Sequence, residues 1–167
     1  MSISMHSASA PIYVRMLGNL GRWLDKAEAH AAAKKFDGAV LLAARLAPDM
    51  LPLVKQVQIA SDAARLSLAR LAGIEAPKVE DNEATLADLR ERVRSTIAFV
   101  EAIPAAQIDG SEKREVVVPR RDTPLVFEGE TYLKHYALPN FFFHVSMTYA
   151  LLRHNGVELG KADYLGG

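Results

Sequence analysis

Four stretches of this chain place an apolar residue at every third or fourth position, and no other feature of the sequence constrains its fold as tightly. The first passes through Ile12, Met16, Leu17, Leu20, Leu24, Ala27 and Ala31, and the second through Leu53, Val57, Ala60, Ala64, Leu68 and Leu71. The third carries Leu86, Leu89, Val93, Ile97 and Val100. In the fourth, Phe141, Val145, Thr148 and Leu152 form one stripe, and Asn140, His144, Met147 and Leu151 form its neighbour. A period near 3.6 collects each set on one helix face. Such a face must be buried against another element, so the four segments predict an all-α fold, an antiparallel up-down four-helix bundle.

Punctuating residues divide the chain between these stripes. Ser7 or Ser9 can cap the first helix, and Pro11 sits in its first turn, where a missing N–H costs nothing. Trp23 falls at the edge of the first stripe. Lys34 to Gly38 interrupts the pattern, and a short helix is expected from about Gly38 to Arg45. Asp49 is placed to cap the second long helix, with Pro52 in its first turn and Gly73 at its end. The polar stretch 74–84, which contains Pro77, is expected to be a loop, and its Asp81 and Glu83 to be solvated. Thr85 and Asp88 have the spacing of a capping box for the third helix. Pro104 closes that helix, and Asp109-Gly110 forms a turn. Glu115 to Val118 and Leu125 to Phe127 predict a small β-hairpin between the third and fourth long helices, lying on the bundle because an isolated hairpin is marginal in water.

The 167 residues make one domain, spanning 1–167 and large enough for a real core. Twenty basic and 20 acidic residues cancel. A neutral chain lacks the basic footprint that neutralising phosphates requires, so nucleic acid is not an expected partner. No cysteine is present, which excludes disulfides, thiolate catalysis and cysteine-ligated zinc. No run of 18 apolar residues suggests a membrane span, and the first residues lack the n- and h-regions of a signal peptide. The cytoplasm is the expected compartment.

The stretch from Tyr132 to Gly156 holds the chemistry of most interest. Pro139 cannot donate to the carbonyl of His135, so the helix either bends there or starts afresh. Asn140 and His144 are one turn apart on one face, a spacing that helical metal pairs also use, although a lone histidine on an apolar face is more often a hydrogen-bonded core residue. His135, nine residues before His144, falls on the opposite face of a straight helix. His154 suits the C-terminal dipole, with Gly156 able to take the left-handed C′ position. On the second helix, Gln58 and Asp62 lie one turn apart beside the buried stripe. Phe141, Phe142 and Phe143 together span about 200° of helix surface, so at least one ring must face outward or meet another element. A homodimer through helix faces is the expected partner arrangement and would bury it; the alternative is that the hairpin or the tail 157–167 covers the third ring.

The segment LPNFFFHVSMTYALLRHNGVELGKADYLG, the opening SISMHSASAPIYVRMLGNLGRWLDKAEAHA and the stretch LAPDMLPLVKQVQIASDAA resemble an uncharacterised bacterial family of unknown function within the DinB-like (DinB/YfiT) superfamily. The resemblance covers essentially the whole chain. It implies a four-helix bundle, often dimeric, with a divalent metal held by three histidines, one on the second helix and two at i, i+4 on the fourth. Some members are thiol-dependent transferases or isomerases. Carried over by position, His144 takes the place of the second fourth-helix histidine, Asn140 that of the first, and Gln58, in Gln58-Ile59-Ala60, that of the remaining ligand.

Two functions are consistent with this pattern. In the first, the bundle is non-catalytic or binds a small molecule, no cofactor is expected, and the degenerate metal site has become a hydrogen-bonded cluster of Gln58, Asn140 and His144. In the second, the protein is a divalent-metal-dependent transferase or isomerase, using zinc or nickel on His144 completed by Asp62, water or substrate. Amide oxygens are poor zinc ligands, which favours the first.

Overall fold

The computed structural model describes residues 3–166. Four long helices form the bundle: α1 (Ala10–Lys34), α2 (Leu53–Ala72), α3 (Leu86–Ala102) and α6 (Leu138–His154). A 3₁₀ turn, Gly38–Ala43, and the one-turn helix α4, Ala105–Ile108, lie on the connections. The hairpin pairs β1 (Glu115–Val118) with β2 (Leu125–Glu128), Val116 opposite Phe127 and Val118 opposite Leu125. A further one-turn helix, α5 (Gly129–Tyr132), leads through a π-helical turn, Leu133–Ala137, into α6, and α7 (Lys161–Leu165) ends the chain. Helix makes up 63% of the described residues, so the all-α expectation holds, hairpin included. Among the described residues, no helix is long and apolar enough to cross a membrane.

The loop after α2 sets the order of helix directions. It runs back along α2, where Arg65 donates to the carbonyl of Pro77 and Lys55 pairs with Asp81 at 2.8 Å. α3 therefore starts beside the N-terminal end of α2 and runs parallel to it. α1 and α3 are antiparallel, with Arg90 beside Glu28 and Val93 beside Gly21. α1 and α6 are parallel, as the Tyr13–Phe141 and Trp23–Tyr149 ring pairs require. The result is an up-down-down-up bundle, because an 11-residue loop can retrace a helix that a short turn could not.

Local signals behave largely as their chemistry demands. Thr85 and Asp88 form the reciprocal capping box at α3. Gly73 ends α2 and Gly156 follows α6, both with positive φ. At Gly129 a Cβ would come within 2.1 Å of the Ser111 carbonyl oxygen, so only glycine lets the chain leave the hairpin there.

Three expectations are corrected. Ser9 stands at the N-terminus of α1, but its hydroxyl donates to the Met5 carbonyl at 2.6 Å and does not cap the helix. Asp49 lies outside α2, whose N-cap position is Pro52. Trp23 is fully buried, because the C-terminal tail folds over it: its indole donates to the Asp163 carbonyl at 3.1 Å and its ring stacks on Tyr164 at 5.6 Å.

Pro139 neither breaks nor restarts the helix. The turn before it widens, and the Leu138 N–H bonds the Leu133 carbonyl, five residues back. A π turn of this kind accommodates a residue that cannot donate while the helix continues. Of the three rings that follow, Phe141 is wholly buried and Phe142 half-buried, while Phe143 stays 52% exposed, covered by neither hairpin nor tail.

Candidate functional site

The seam between α2 and α6 brings together side chains from both candidate regions. Antiparallel packing sets Gln56 opposite His144 and the C-terminal turn of α2 opposite the π turn. His144 is 8% exposed, and its Nδ1 lies 2.8 Å from Gln56 Oε1. The amide orientation follows from its other contact, since Gln56 Nε2 donates to the Leu51 carbonyl at 3.0 Å and a carbonyl can only accept. Gln56 therefore offers Oε1 to the imidazole, and His144 must carry its proton on Nδ1. That leaves the Nε2 lone pair without a hydrogen bond among the described residues. Burial lowers the His144 pKa and keeps the ring neutral near pH 7.

One turn earlier, Asn140 is half-buried, and its amide makes no hydrogen bond among the described residues. It lines a pocket of about 160 Å³ between α2 and the π turn, together with Asp62, Arg70, Tyr132 and Tyr136. Arg70 Nη1 donates to the Tyr132 hydroxyl at 3.0 Å, and Tyr132 stacks on Tyr136 with ring centroids 5.7 Å apart. Burial raises the Tyr132 pKa against the lowering effect of Arg70, so the phenol stays protonated. Asp62 is engaged elsewhere, pairing with Arg65 at 2.8 Å and Arg92 at 3.0 Å.

Gln58 does not join His144. It is buried on the other side of α2, where Nε2 donates to Glu83 Oε2 at 2.6 Å. The reason is geometric: Gln56 and Gln58 are about 200° apart on the helix, so only one of them can face α6. The expected Gln58–Asn140–His144 hydrogen-bonded cluster is therefore replaced by a Gln56–His144 pair, with Asn140 in the pocket beside it. Sequence reasoning missed Gln56. The available signal was its position in the series 56, 59, 63, 66 and 70, a second helical stripe alongside the apolar one.

Glu83 belongs to a second polar centre that sequence reasoning placed in solvent. Arg92 contacts Glu83 at 2.8 Å, Asp62 at 3.0 Å and Asp81 at 3.1 Å, and the side chains of Arg92 and Glu83 are only 2% and 6% exposed. Burial pushes the Glu83 pKa up, but hydrogen bonds from Arg92 and Gln58 outweigh it and hold the carboxyl below its usual range. This network ties the loop 74–84 to α2 and α3.

The donor set does not fit the three-histidine metal site implied by resemblance. Gln58 turns towards Glu83, position 140 offers an amide, and only His144 is an imidazole donor. Asp62, the other proposed partner, is committed to two arginines. Among the described residues, no three His, Cys, Asp or Glu side chains are grouped so that they could hold a metal ion.

The Gln56–His144 pair has measurable consequences. Gln56→Ala should destabilise the protein by about 1–3 kcal/mol, because it leaves the buried His144 imidazole N–H without its acceptor. Since the His144 pKa is lowered on folding, the unfolded chain takes up its proton first as pH falls. Stability from this group is therefore complete above about pH 6.5 and is lost below it. Urea unfolding at pH 7.5 and 5.5 should show this loss in the native protein, with a smaller loss in His144→Gln.

Comparisons with known proteins place this geometry among relatives. Residues 5–165 match the model of a family described as Domain of unknown function (DUF1993). The chain is also similar to a crystal structure of a DinB family member protein from Shewanella denitrificans. The two are 40% identical with a TM-score of 0.87, and the match covers 97% of this chain and 92% of the other. No curated protein matches.

Proposed function

As this chain belongs to DUF1993, a family of DinB-like helical bundles, we propose that it acts as a small-molecule-binding bundle whose ligand enters the seam between α2 and α6. One observation carries the reading. The Asn140 amide, free of any hydrogen bond among the described residues, lines a pocket with Arg70 and two tyrosines. In the metal-binding pattern this position would hold a histidine; here it offers an amide donor and acceptor to a bound molecule.

A metal-dependent transferase or isomerase is the second reading, and His144 is the observation behind it. A histidine whose Nδ1–H is fixed by an acceptor, with Nε2 left free, has the orientation that outer-shell partners give to metal-ligating histidines. With Asn140 and Gln58 as its companions, the set lacks the donors zinc prefers.

Two measurements on protein purified without a His-tag separate the readings. A fragment screen followed by amide NMR should shift the Asn140 side-chain resonances and those of its neighbours on the π turn. Elemental analysis should find less than one transition metal per chain. Stoichiometric zinc or nickel that disappears in His144→Ala would replace the binding reading with the enzymatic one.

A further inference from the structure

The pocket beside Asn140 contains one charge that the protein leaves unanswered. Arg70 lines it, and no carboxylate of the described residues lies within ion-pairing distance of its guanidinium. Its only side-chain partner is a neutral one, the Tyr132 hydroxyl on Nη1, so Nη2 and Nε keep their hydrogens free among the described residues. The acidic residue in the same pocket, Asp62, is neutralised by Arg65 and Arg92. The net field inside is therefore positive, centred on Arg70.

From this arrangement we infer that the pocket takes a small organic monocarboxylate, with the carboxylate on Arg70 and the carbon body against the apolar wall of Ile59, Leu66 and Val118. The inference rests on the binding reading above and names the class of its ligand. A planar guanidinium with two open N–H groups matches a carboxylate, and the low dielectric of a half-enclosed pocket strengthens the pair. Asn140 and Tyr136 supply neutral hydrogen-bonding groups beside it, neither hydrogen-bonded among the described residues. Size bounds the body. About 160 Å³ is close to the roughly 150 Å³ of a cavity that holds benzene, so the carbon skeleton is of that order. With about 160 Å³ filled by a benzene-sized body and Arg70 the one unpaired charge among the described residues, the pocket has neither room nor a second cation for another carboxylate on the ligand.

Benzoate is a suitable probe. Titration into the full chain, followed by amide NMR, should give saturable shifts at Arg70 and Asn140. Benzamide, of the same shape without the charge, and terephthalate, with a second carboxylate, should both bind more weakly. Arg70→Met should weaken benzoate binding at least roughly tenfold, the loss expected when one charged hydrogen-bonded pair is removed. Arg70→Lys, which keeps the charge but not the fork, should fall between, and Arg94→Ala, on the exposed face of α3 and away from the pocket, should bind as the native protein does. Thermal melts confirm that each variant is folded. Should Arg70→Met disturb the fold, the benzoate–benzamide comparison on native protein decides alone. Equal binding of benzamide and benzoate at Asn140 would reject the carboxylate class while leaving the seam as a binding site. Absence of saturable benzoate binding would reject the inference outright, whereas the binding reading stands or falls with its own fragment screen.

Discussion

Replacing Arg92 with alanine is expected to destabilise the protein by about 3 kcal/mol, read as a lower urea midpoint at pH 7. Removing one partner of a buried ion pair leaves the other charge desolvated and unanswered, typically at a cost of about 3–5 kcal/mol. The lower end applies because Asp62 and Asp81 keep part of their surface in water, while Glu83 does not. Arg94→Ala, two residues away on α3 and 78% exposed, should change stability by about 0.5 kcal/mol or less, although it too sits beside a glutamate. The Arg92 effect should also be pH-dependent. Glu83 and Asp81 both have pKa values lowered in the folded protein, Glu83 by Arg92 and Gln58 against the opposing effect of burial, Asp81 first by Lys55. Their contribution is therefore complete above the unfolded carboxylate values of about 4 and is lost as pH falls through and below them. The native protein should lose stability along that acid limb, and Arg92→Ala should lose less. Parallel acid limbs for the two proteins would contradict the network.

Phe141→Ala should cost about 3–5 kcal/mol, the usual range for truncating an aromatic ring in a packed core. The ring is wholly buried, edge-on to Tyr13 at 4.8 Å and against Phe142 at 5.6 Å, and its removal leaves a cavity at the contact of α1 with α6. Phe143→Ala, two positions on, should change stability little, because its ring is already half in water. Thermal or chemical unfolding of the two variants side by side checks the contrast. A comparable loss in Phe143→Ala would mean that a partner covers that ring in solution, which concentration-dependent melting would then reveal.

Much of the fold follows from contacts between residues close in sequence. The Thr85–Asp88 capping box closes within one turn, Gly73 and Gly156 follow helix ends that need positive φ, and the hairpin register pairs neighbours across a short loop. The helical stripes belong to the same class, since a face is defined by spacing alone. These features were determined by the sequence itself, because the partners in each are local, at most 13 positions apart even across the hairpin, from Glu115 to Glu128.

What only the tertiary structure decided is which side of each stripe meets which neighbour. Gln56 and Gln58 are the same residue type on the same helix, and only the placement of α6 and of the loop 74–84 gives one to His144 and the other to Glu83. Arg92 and Glu83 look like ordinary surface charges until the loop folds back along α2 and shields them. Trp23 is covered by a tail 140 residues further on, beyond the reach of any local pattern. In each case the deciding energy is a long-range contact, and the spacing of residues along one segment carries no information about it.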